Sequence, residues 1–135
     1  MTDGILIPVS PGELIDKLTI LDIKRTRIAD EAALAHVRTE HALLTRALET
    51  IGPLPPAVMA LRAELLAING RLWEIEDGVR LCEARQDFGE RFVRLARSVY
   101  QTNDERSAAK RAINRLLGSA LMEVKAYAGG TTDAP

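Results

Sequence analysis

The chain has 135 residues, 47% of them apolar and 27% charged, with a formal net charge of −1. That length suits one soluble domain with a real core, and the near-neutral charge excludes a general attraction to nucleic acid or anionic lipid. One Trp, two Tyr and two Phe leave little for base stacking, and no run approaches the ~20 apolar residues of a membrane span.

The single cysteine, Cys82, makes no internal disulfide and supplies no zinc cluster. The opening "MTDGILIPV" lacks the basic region and long apolar core of a signal peptide. Cytoplasm is the expected location, and neither a membrane nor a nucleic acid is an expected partner.

"ILIPV" at 5–9 is an apolar stub with a proline inside it. Pro8 argues against a central strand and allows an edge. The stub is expected to pack, as a strap across the helices or against its copy in a dimer. Ser10-Pro11-Gly12-Glu13 then reads as a capping box, with proline at the first helical position. Gly12 would let a ligand approach the bare amides of that first turn, but no glycine-rich loop or adjoining lysine accompanies it, so an ordinary cap is the plainer reading.

From Leu14 to Leu48 the apolar residues keep a four–three spacing, interrupted at Arg25 and His41, and the apolar face turns near Ala29-Asp30. One long bent helix to about Thr50 or two helices broken there both fit; the single helix is favoured. "IGPLPP" at 51–56 is a hard stop. Leu61, Leu65, Ile68, Leu72, Ile75, Val79 and Cys82 then give the cleanest seam in the chain, predicting a helix over about 57–85. Asp87 with Glu90 and Thr102 with Glu105 resemble two more capping boxes, predicting a short helix and a last one ended by Gly129-Gly130. The expected fold is an all-α antiparallel bundle of about four helices with a short N-terminal extended segment. Residues 1–129 make one domain and 130–135 a disordered tail.

Catalytic candidates are sparse. His36 and His41 share no helix face well, and Cys82 lies on the buried seam, where a thiol is inert. Glu13 with Asp16, and Glu74 with Asp77, each have the spacing of carboxylate metal sites in bundles. With one long first helix, however, Asp16 and Asp77 stand ~20 Å apart along the axes. Only a break near Asp30 would bring them together, so no metal and no cofactor is expected. Residues 85–115 are locally basic, which reads first as a solvated face.

The stretches "PVSPGELIDKLTIL", "INGRLWEIEDGVR" and "LARSVYQTNDERSAAKRAIN" together resemble a small bacterial family of single-domain proteins to which no activity is attached. The resemblance runs from residue 5 to about 127. It implies a bacterial, cytoplasmic, stand-alone domain and carries over no site residue.

Two functional readings follow. The first is a non-enzymatic binding or assembly module that joins a protein partner or its own copy. The second is a site for a small anionic or phosphate ligand, or a metal-dependent enzyme resembling the nucleotide pyrophosphatases, in a polar layer between helices. The candidate residues are Trp73, Asp77, Arg80, Arg97, Lys110 and Asn114, with Asp77 orienting the cations. A salt-bridge network capped by Trp73 is the plainer account of the same residues.

Overall fold

The computed structural model describes residues 4–128. It contains four α-helices and, among the described residues, no strand: α1 (Pro11–Arg27), α2 (Glu31–Glu49), α3 (Pro56–Ala84) and α4 (Glu90–Leu116). The all-α bundle expected from the sequence is therefore the observed one, although its four helices are not the four first marked. No helix among the described residues is long and apolar enough to cross a membrane.

Ser10 caps α1 as expected, its hydroxyl accepting from the Glu13 amide at 3.2 Å, with Pro11 at the helix start. The long first helix does not form. Ile28 leaves the helical region with ψ 129, and Asp30 starts α2 by accepting the Ala33 amide at 2.8 Å. Lys24, Arg25 and Arg27 stand in the last turn of α1, where cations meet the negative end of the helix dipole. α2 then doubles back on α1, and His41, which interrupts its apolar spacing, bonds Asp22 across the pair at 2.8 Å.

The turn at 50–55 ends α2 as the prolines require, with Gly52 at φ +82. α3 follows, and its seam is graded: Leu65, Ile68 and Cys82 are buried, whereas Leu61, Leu72, Ile75 and Val79 are half-buried. Gly89 rather than Asp87 caps α4, while Asp87 accepts the Gly89 amide at 3.1 Å. Thr102 with Glu105 starts no helix. Thr102 is buried in the middle of α4, which runs on to Leu116. Gly118, at φ +64, closes it instead, while Gly129-Gly130 and the expected 130–135 tail lie outside the described residues.

Sequential helices run antiparallel, and α1 is the centre, packing against α2, α3 and α4. α3 and α4 share the most extensive contact, placing Gly78 against Leu95 and Arg71 against Glu105. α1 runs alongside α3 in the same direction, since Asp16 meets Asn69 and Arg27 meets Glu74. The core gathers Leu14, Ile15, Leu18, Leu48, Val58, Leu65, Ile68, Ala109 and Ile113. The stub does not join it. Ile5, Leu6, Ile7 and Val9 are exposed, which overturns the strap within one chain.

Candidate functional site

Among the described residues the most buried charge is Asp16, which has no exposed surface. Its position on α1 belongs to a stripe of Gly12, Asp16, Thr19 and Ile23, spaced four–three–four, so all four positions face the neighbouring helices. A buried carboxylate needs donors for its lone pairs. Asn69 of α3 supplies one from Nδ2 at 2.9 Å and also donates to Thr19 Oγ1 at 2.9 Å. Arg106 of α4 supplies the others, from Nε at 2.8 Å to one oxygen and from its terminal nitrogen to the second. The fork is bidentate, the geometry that fixes a guanidinium in orientation as well as charge. The hydrogen bond it donates to Asp16 raises the pKa of Arg106 above its ordinary value against the opposing effect of burial.

One turn nearer the start of α1 a second tie forms. Lys110 of α4 reaches Glu13 at 2.7 Å and Glu123 of the segment after α4 at 2.8 Å. The Glu13 carboxylate thus faces a lysine instead of closing its capping box. Beside it, Asn114 Oδ1 accepts the Gly12 amide at 2.7 Å. Lys110 is pulled down by burial, but the hydrogen bonds it donates to Glu123 and Glu13 outweigh that and its pKa is raised. Glu123 is held below the ordinary carboxylate value, first by the hydrogen bond from Lys110, against burial.

The signs fix a pH window. The contribution of Glu123 is present above its ordinary value of 4.5 and is lost as pH falls through the lower folded value. That of Lys110 is present below 10.5 and is lost as pH rises through its higher folded value. The protection of amides in residues 119–128 against exchange, taken relative to the intrinsic rate at each pH, should therefore be steady near neutrality and fall below about pH 4, before α4 itself opens. Glu123→Gln should remove that acid step; a step that persists in the variant would assign it elsewhere.

Above the Asp16 tie, α1, α3 and α4 leave a cleft of about 580 Å³. Asn69 and Arg106, both held by Asp16, line it together with Asn103. Ile20, Ile23 and Leu72 give it apolar walls, and half-buried Trp73 lies among them. Glu76, Asp77 and Arg80 stand on the α3 side, with Arg80 paired loosely to Glu76 at 3.8 Å. The volume falls in the range of small-molecule sites, on the order of 300–1,000 Å³.

Of the residues singled out from the sequence, Trp73, Asp77 and Arg80 share this cleft. Lys110 and Asn114 do not. They serve the contact with the start of α1, because α4 runs unbroken through Thr102, where the sequence suggests a fresh helix start, and carries Lys110 to Glu13 and Asn114 to Gly12. Arg97 is exposed and lies outside the cleft. The sequence marks Asp16 as one acid of a spaced pair, but its pairing with Arg106 is not legible there. The break near Asp30 does occur, yet Asp16 is bound by Arg106, Glu13 by Lys110, and Glu74 pairs with Arg27. Among the described residues no group of three or more His, Cys, Asp or Glu side chains is arranged to hold a metal ion.

The chain belongs to a family described as a family of unknown function, DUF6165, whose model matches residues 5–135. No curated protein and no solved structure matches it.

Proposed function

We propose that this protein is a non-enzymatic binding module whose cleft takes a small polar molecule, zwitterionic or uncharged, with a flat face. The observation that carries the reading is the Asp16 tie, which fixes Arg106 and Asn69 at the cleft before any ligand arrives. Beyond the Asp16 fork Arg106 keeps terminal N–H groups, while Asn69, its two N–H groups spent on Asp16 and Thr19, offers its Oδ1 as an acceptor. Preorganised groups lose little entropy on binding, and the indole of Trp73 offers a flat apolar surface beside them. Arg80 and Arg106 are matched at the cleft by Glu76 and Asp77, and Arg106 is further neutralised by Asp16. That balance favours a zwitterion or a neutral hydrogen-bonding molecule over the anion suggested by the sequence. Catalysis finds less support: the Asp16 carboxylate is saturated by donors, and Cys82 is buried. With its lone buried thiol, the chain fits the reducing bacterial cytoplasm, and we place it there.

Trp73 is the only tryptophan, so its emission reports on the cleft alone. Titration with amino acids, amines, nucleosides, sugar phosphates and nucleotides should give a saturable change with a zwitterionic or neutral class. The same class should raise the melting temperature by mass action. Asn103→Leu should abolish the response while leaving the unliganded melt within about 0.5 kcal/mol. A response confined to phosphates would make the site an anion site instead. Silence from every class would remove the reading.

A further inference from the structure

Among the exposed apolar features outside the cleft and its ties, two match each other. The first is the N-terminal arm. Ile5, Leu6 and Ile7 are 89%, 99% and 70% exposed, an unusual run of aliphatics in water. The arm is rooted firmly, because the next residues enter the Ser10 cap and Gly12 is bonded to Asn114. The second is a groove of about 460 Å³ between α1 and the start of α3, where Leu54, Met59, Ala63 and Leu66 form an apolar lining beside Thr19, Asp22 and Arg62. Met59 and Leu66 are 59% and 41% exposed there.

We infer that the arm of one copy docks into this groove on a second copy. The chain carries both an unpartnered apolar extension and an unpartnered apolar recess, and the exposure of the arm shows that its own groove does not hold it. Pro8 lacks the amide that strand addition would use at the centre of the arm, so the contact is made by side chains entering the groove. A rigid root means that little further ordering is needed when the arm docks. Reciprocal exchange of two arms closes a twofold dimer, covers both grooves and leaves no arm free to propagate a chain.

Light scattering after size exclusion, over a concentration series of the full chain, tests this. The wild type should approach twice its 14.8 kDa mass as concentration rises, and its melting temperature should rise with it. Leu6→Glu in the arm and Met59→Glu in the groove should each remain monomeric, with circular dichroism unchanged because both side chains are exposed. Mixing the two variants should restore a dimer, since the first keeps an intact groove and the second an intact arm. A wild type that stays monomeric throughout would overturn the inference. So would a dimer that survives both substitutions, or a mixture that fails to associate.

Discussion

Arg106→Met should cost about 3–5 kcal/mol, the range for removing one partner of a buried ion pair. Asp16 would be left with no exposed surface and only the Asn69 amide as side-chain donor. Asp16→Asn should cost less, because the Arg106 side chain keeps 28% of its exposure and water can reach the cation it leaves behind. Replacing both residues with apolar ones should recover much of the loss, since neither charge then remains stranded. Urea melts of Arg106→Met, of an apolar substitution at Asp16 alone and of their combination read the coupling directly. Additive losses would mean that Asp16 and Arg106 do not act as a pair.

Gly12→Ala carries the second large effect. A Cβ at Gly12 would stand 2.5 Å from the Lys110 carbonyl oxygen and 2.8 Å from Asn114 Oδ1. Asn114 is a side chain and can turn away, but the carbonyl belongs to the backbone of α4 and cannot. Either α1 separates from α4 or the first turn deforms, at about 1–3 kcal/mol for overpacking. Loss of the Gly12–Asn114 hydrogen bond would add about 1 kcal/mol. Gly70→Ala is the matched control. Nothing lies within 4 Å of a Cβ there, so α3 should gain up to about 1 kcal/mol in helix propensity. Equal effects at the two glycines in thermal or urea melts would show that α1 does not approach α4 so closely.

The sequence carries these features unevenly, for physical reasons. The proline-rich stop at 51–56, the Ser10 cap and the α3 seam are local signals, and they survive folding because nothing distant competes with them. The α3–α4 register also follows from a short connection. The break after Arg27 is harder, since Ile28-Ala29-Asp30 contains neither glycine nor proline. Its signals were the Asp30 cap and the cations of the preceding turn. Thr102 misleads in the opposite direction: its spacing to Glu105 recurs within a helix that never stops, and burial then replaces capping. That error displaced Lys110 and Asn114 from their true place beside Gly12.

Asp16 was hidden for another reason. Hydrophobic periodicity follows apolar residues, whereas the interface stripe of α1 runs through glycine, aspartate and threonine. A charged residue on an interface period announces a buried tie only when its partners are known, and Asn69 and Arg106 lie 53 and 90 positions away. They nevertheless fall within the quoted motifs at 68–80 and 95–114. The three sequence blocks therefore meet around one carboxylate, a relation that becomes apparent only once the helices are packed.

The Asp16–Arg106 tie should exist in solution before any ligand binds, and the Arg106 side chain reports it. In a spectrum of nitrogen-15-labelled protein without ligand, the Nε–H of Arg106 should be resolved and should exchange slowly with water, in contrast to exposed Arg97. It should lose that protection in Asp16→Asn. An Arg106 Nε–H that exchanges as fast as that of Arg97 in the wild type would contradict the fixed cleft and the binding function built on it.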